Sequence, residues 1–117
     1  QDNLSLGNLD ALRDWGHSKD YVRAMWMMMQ YGYAGDWVVS TGETHSVKEF
    51  LIEVFKELNL DWEEYVTIED CLKRPNEVPA LLGDSKRIRN MIGWKPEIGF
   101  KELIREMIDY EFEENRL

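Results

Sequence analysis

A single cysteine, Cys71, stands among the 117 residues. It excludes an internal disulfide and a multi-thiolate metal centre, and a lone thiol with no mapped partner reads as inert. No apolar run exceeds Ala24 to Met29, far short of the roughly 18 residues a membrane-crossing helix requires. No basic-then-apolar leader opens the chain, so the expected compartment is the cytosol. Positive charge is scarce: 14 Lys and Arg stand against 23 Asp and Glu, for a net charge of -9. That argues against nucleic acid and against an anionic membrane as partners, since both require a basic face. A small anionic ligand is still compatible, because it needs only two or three local cations. The eight glycines never space as G-x-G-x-x-G, and neither a P-loop nor H-E-x-x-H occurs. No tyrosine has a lysine four residues later. His17 and His45 are the only histidines. Neither lies in a metal-ligand spacing, so both read as structural.

What is present describes one domain or part of one. Apolar residues make up 44% and charged residues 32%, the balance of a folded chain with one core. The chain starts at Gln1 without an initiator Met, and its first residues already read as the inside of a domain. We therefore expect residues 1–117 to be a single partial domain. Leu4 to Trp15 alternates loosely and reads as short extended segments, with a turn at Gly7-Asn8. Ser18 is the candidate cap of a helix over Lys19 to Gln30. Its apolar positions Val22, Met25, Trp26 and Met29 form one face, and Met27 and Met28 widen it, which predicts burial on more than one side. Trp37-Val38-Val39 reads as a short buried strand. Ser46 and Glu49 form a capping box. Behind them Val47, Phe50, Leu51, Val54, Phe55 and Leu58 keep helical spacing. Trp62 to Ile68 reads as a strand. Arg74-Pro75 opens an extended stretch. Asp84 caps a short helix over Ser85 to Ile92, ended by Gly93. The last helix runs from Phe100 to about Glu114. The class is α/β, helices with short strands between them and no complete parallel sheet.

Two cations are informative. Arg13 ends an extended run just before a helix, and Arg74 sits in Arg74-Pro75-Asn76-Glu77. Guanidinium forks match diphosphate oxygens. Pro75 stiffens the backbone at Arg74, and Glu77 could orient a guanidinium or accept from a sugar hydroxyl or a base N–H. The competing reading is ordinary surface pairing, Arg13 with Asp14 or Asp20 and Arg74 with Glu77. The Met25 to Met29 cluster reads as core rather than a ligand pocket. The acidic end, Glu106 to Glu114, reads as a solvated helix face.

Several blocks resemble a known family. Leu6-Gly7-Asn8-Leu9-Asp10-Ala11, Arg13-Asp14-Trp15-Gly16-His17 and Thr41-Gly42-Glu43-Thr44-His45-Ser46-Val47 are similar to the GDP-mannose 4,6-dehydratase family of extended short-chain dehydrogenases/reductases. So are Arg74-Pro75-Asn76-Glu77-Val78 and Leu82-Gly83-Asp84, in the same order. Gly93-Trp94-Lys95-Pro96 resembles the closing segment of extended short-chain sugar enzymes more widely. The departures are Leu12, where a Lys is common, Gly99, where the last helix usually has a Ser or Thr, and a shorter link from Leu60 to Leu72.

The resemblance implies the C-terminal, substrate-binding portion of such an enzyme, without the Rossmann coenzyme domain. It implies conversion of GDP-mannose to GDP-4-keto-6-deoxymannose by NADP-dependent oxidation, water elimination and re-reduction. NADP and the catalytic groups would belong to an upstream domain, so the 117-residue segment alone is expected to be inactive and to hold no catalytic, cofactor or metal residue. The partners implied are GDP-mannose, the chain's own coenzyme domain and, at full length, further copies of itself. By similarity Arg13 and Arg74 would contact the substrate, Glu77 would face the nucleotide and Leu6 would lie against the base. The alternatives are a segment of another nucleotide-sugar dehydratase or epimerase, and a non-catalytic acidic interaction domain.

Overall fold

A computed structural model describes residues 2–115. The chain forms β1 (Leu4–Leu6), β2 (Leu12–Arg13), α1 (Ser18–Gln30), β3 (His45–Ser46), α2 (Val47–Glu57), α3 (Trp62–Tyr65), β4 (Val66–Ile68), α4 (Lys86–Met91) and α5 (Phe100–Glu114), with a 3-10 turn at Asp70–Leu72. The strands make two separate two-stranded ladders. β1 runs parallel to β4, with Leu6 opposite Ile68. β2 runs antiparallel to β3, with Arg13 opposite His45. The mixed α/β class is as expected, and no helix is long and apolar enough to cross a membrane among the described residues.

Local signals place most helices. Ser46 accepts from the Glu49 N–H while the Glu49 side chain accepts from the Ser46 N–H, the reciprocal capping box that starts α2. Gly93 follows α4 with φ +82, the left-handed conformation that glycine adopts without strain. α5 begins on Gly99, which offers no side chain to cap it.

Five expectations are corrected. The α1 cap is His17, not Ser18: His17 Nδ1 accepts from the Lys19 N–H at 3.0 Å, and Ser18 is the first helical residue. Trp62 to Ile68 is not one strand. Asp61 caps a single helical turn by accepting from the Glu63 N–H, and only Val66–Ile68 extends. Asp84 accepts from the Lys86 N–H at 3.0 Å, but helical geometry begins only at Lys86. Trp37-Val38-Val39 joins no ladder among the described residues, and Val38 is exposed.

The deepest correction concerns α1. Ala24 is fully buried against Ile88 and Trp94, and Tyr21, Met27 and Met28 pack around that cluster. Val22, Met25, Trp26 and Met29 lie on the opposite, exposed face. The helix is therefore buried on one side only. Its orientation is fixed by Asp20, whose carboxylate is buried and accepts from the N–H groups of Glu97 and Ile98, each at 3.1 Å. The Trp94 indole N–H donates to the Asp20 carbonyl at 2.9 Å. A second cluster joins α2 to α5. Trp15 stacks on Phe50 with centroids 4.8 Å apart, and His45 lies flat on Phe100 at 3.9 Å.

Candidate functional site

The candidate residues lie along two chain segments that run beside each other. Residues 4–13 form one. The other is residues 72–81, held at both ends. At one end Gly7 meets the Leu72 and Lys73 backbone so closely that a Cβ on Gly7 would sit 2.6 Å from the Leu72 carbonyl oxygen. Only glycine allows that approach. At the other end the Leu12 N–H donates to the Pro79 carbonyl and the Leu81 N–H to the Leu12 carbonyl, both at 2.9 Å.

This pairing sets the partner of Arg13. Its Nη2 donates to Glu77 Oε1 at 2.6 Å, and its Nη1 donates to the carbonyls of Leu12 and Val78, both at 2.8 Å. Arg13 and Glu77 are half-buried. Arg13 therefore pairs with neither Asp14 nor Asp20, and Glu77 is not the partner of Arg74. Nε–H and the second Nη2 proton of Arg13 have no partner among the described residues. Arg74 is exposed, three positions before Glu77, and makes no ion pair among the described residues. Leu6 is half-buried at the end of β1, next to Gly7 and so to the backbone that leads into Arg74. The structure thus brings Arg13 and Glu77 into contact and puts Leu6 and Arg74 near the other end of the same two-segment ridge.

Asp14, read from the sequence only as an ion-pair candidate, has a larger part. Its Oδ1 accepts from the Thr41 N–H at 2.9 Å and the Thr41 hydroxyl at 2.6 Å. Its Oδ2 accepts from the N–H groups of Gly42 at 3.0 Å and Gly83 at 3.4 Å. Burial alone would raise the Asp14 pKa, but these bonds outweigh it and hold the carboxyl below its ordinary value. Asp14 thereby joins the end of β2 to the 41–42 and 83 loops. Gly83 is required there because a Cβ would collide with the Ser40 side chain. The available signal was the pair of glycine loops, whose free N–H groups need an acceptor. Tyr21, packed on Gly16, is raised by burial and then by the charges of Asp14 and Asp20.

The histidines are held by carboxylates. His45 Nδ1 lies 2.8 Å from Glu49, and His17 Nε2 lies 3.0 Å from Glu106. The His45 bond leads the causes that lower Glu49. The Lys19 bond leads those that lower Glu106, followed by burial, which raises it, and then the charge of His17. No group of three or more His, Cys, Asp or Glu side chains is placed to hold a metal ion among the described residues. Gly7 and Gly83 serve close approaches between chain segments.

The chain matches the family model described as GDP-mannose 4,6 dehydratase over residues 1–107. It is 46% identical to GDP-mannose 4,6 dehydratase 1 of Arabidopsis thaliana, across 97% of this chain and 31% of that protein. The fold resembles a putative epimerase from Burkholderia cenocepacia J2315, with TM-score 0.84 and 30% identity over 93% of this chain and 36% of the other. It also resembles RMD from Pseudomonas aeruginosa, solved in complex with NADPH, with TM-score 0.81 and 23% identity over 92% of this chain and 35% of the other. The chain thus spans about a third of the length of the curated relative it matches.

Proposed function

The chain belongs to the GDP-mannose 4,6-dehydratase family, and on that premise we propose that it is the nucleotide-sugar-binding segment of such an enzyme. The observation that carries the reading is the ridge. An Arg13–Glu77 pair is fixed between two chain segments, and an arginine with no ion pair among the described residues stands three residues away. Arg74 and the unpartnered edge of Arg13 would hold the diphosphate of GDP-mannose. Glu77, oriented by Arg13, would accept from donor groups of the nucleotide, and Leu6 would offer an apolar edge to the base. Charge-assisted contacts of this kind contribute about 1.5–3 kcal/mol each.

The whole enzyme's reaction would oxidise, dehydrate and re-reduce the mannosyl group to a 4-keto-6-deoxy sugar. Binding of the remote GDP part would hold the hexose in place for that chemistry. NADP and the reacting groups would fall to the rest of the polypeptide, and this segment alone would not turn over. Calorimetry with GDP-mannose on the complete enzyme tests the reading. Arg74→Ala should weaken binding by about 10–100-fold, and Arg13→Ala by a similar factor. Unchanged affinity in both would defeat it and favour an acidic interaction domain. Preference for a uridine or thymidine nucleotide would point instead to another nucleotide-sugar dehydratase or epimerase.

A further inference from the structure

The two ring nitrogens of His17 serve different elements. Nδ1 accepts from the Lys19 N–H at 3.0 Å and so caps α1, while Nε2 lies 3.0 Å from Glu106 Oε2 on α5. A protonated ring nitrogen cannot accept, so Nδ1 carries the lone pair and Nε2 carries the proton that it donates to Glu106. His17 is 8% exposed, which leaves the ring little room to reorient. The usual cap residues, Ser, Thr, Asp and Asn, accept through oxygen and remain acceptors across neutral pH. Histidine is the side chain whose acceptor nitrogen ordinarily takes up a proton between about pH 5 and 8. The charges around the ring pull in opposite directions. Glu106 is also bonded to Lys19 Nζ at 3.1 Å, and that bond leads the causes that hold it below its ordinary value, so it stays ionised through this range. Glu102, Asp109, Tyr110, Glu111 and Glu113 of α5 border the same concavity, together with Arg105. The α5 carboxylates favour a cationic ring. Lys19 and the positive end of α1 oppose it.

We propose that His17 is a proton-operated latch on the first turn of α1. With Nδ1 unprotonated, one ring ties the start of α1 to α5. Uptake of a solvent proton at Nδ1 sets one N–H donor against another, the Lys19 N–H. The ring then keeps Glu106, now by charge as well as by hydrogen bond, and releases the cap. The opening is confined to Ser18 and Lys19. The Asp20 carboxylate still accepts from the Glu97 and Ile98 N–H groups, and Ala24 stays packed on Ile88 and Trp94. The bonds from the Asp20 and Tyr21 N–H groups to the His17 carbonyl do not involve the ring. The latch requires no nucleotide and stands apart from the functional reading.

Acidification of the complete native polypeptide from about pH 8 to about pH 5 tests it. Two readouts are followed, the ring nitrogen resonances of His17 and residue-resolved deuterium exchange at the Lys19 amide. At the upper end His17 should show the Nε2–H tautomer with Nδ1 unprotonated. Across the range, Lys19 exchange corrected for its intrinsic pH dependence should accelerate by about 5-fold, the loss of one side-chain cap. His17→Asn keeps a cap oxygen that takes up no proton, so its corrected exchange should stay within about 2-fold. Glu106→Gln keeps an acceptor for Nε2–H but removes the charge that favours the cationic ring, so release should need more acid. An Nδ1–H tautomer at the upper end, Lys19 exchange constant across the range, equal acceleration in His17→Asn, or unshifted release in Glu106→Gln would each overturn the proposal. Should either variant fail to fold, the tautomer and the exchange of the parent protein decide it alone.

Discussion

Around Trp94 the polar groups are answered within the chain, whereas along residues 72–81 bonding capacity faces outward. Asp20, 2% exposed, accepts two backbone N–H bonds, and Arg23 reaches the same carboxylate at 3.4 Å. Arg74, by contrast, has solvent on its guanidinium and no internal ion pair among the described residues. The same residue classes serve opposite ends, rigidity at the first region and recognition at the second. The contrast predicts opposite stability effects. Asp20→Ala should destabilise the fold by about 2–4 kcal/mol, since it leaves the part-buried Glu97 and Ile98 N–H groups without an acceptor, while Arg23 keeps Glu97 and the Lys95 carbonyl. Arg74→Ala should change stability by less than about 0.5 kcal/mol. Denaturant midpoints of the complete enzyme measure both, and similar losses at the two sites would dissolve the comparison.

Asp14 lies between these regions and sharpens the contrast through pH. Its folded pKa is below the ordinary 3.8 because the hydrogen bonds from Thr41, Gly42 and Gly83 overcome the opposing effect of burial. The unfolded chain therefore binds the Asp14 proton more readily than the folded one. The Asp14 contribution is complete well above pH 3.8 and is lost as pH falls through that value and below it. Asp14→Asn keeps the shape but removes the charge. It should reduce stability by about 1–2 kcal/mol at neutral pH, and the gap to the parent should narrow as the medium is acidified from pH 6 to 3. Urea unfolding across that range reads the gap. A gap constant with pH would mean that Asp14 acts by shape and not by charge.

Legibility follows the distance over which each feature is decided. The α2 capping box and the α5 stripe are local, so spacing was enough to place them. The buried face of α1 was not legible. Spacing weighs Val22, Met25, Trp26 and Met29 as core, but the helix is turned by Asp20, whose acceptors are engaged by Glu97 and Ile98, 77 and 78 positions away. At the ridge, the residue types Arg13, Arg74 and Glu77 were readable, but the pairing was not. Sequence neighbours suggested Arg13 with Asp14, yet Asp14 is engaged by the 41–42 and 83 loops, so Arg13 turns to Glu77, 64 positions on. The single turn of α3 hid inside an apolar alternation because one Asp61 cap, not periodicity, starts it.

The smallest predicted effect comes from two helix starts that border the α2–α5 cluster. Ser46 closes a full capping box, while Gly99 begins α5 with no side-chain acceptor. Gly99 has φ -77 and ψ 171, an extended geometry open to any residue, and a Cβ there would meet nothing within 4 Å. Gly99→Ser can therefore add an acceptor for the first-turn N–H groups without strain. It should stabilise by a few tenths of a kcal/mol, whereas Ser46→Ala should cost about 1 kcal/mol. The signs distinguish capping from packing. If Gly99→Ser lowers the unfolding midpoint, the start of α5 is set by backbone packing and not by the missing acceptor.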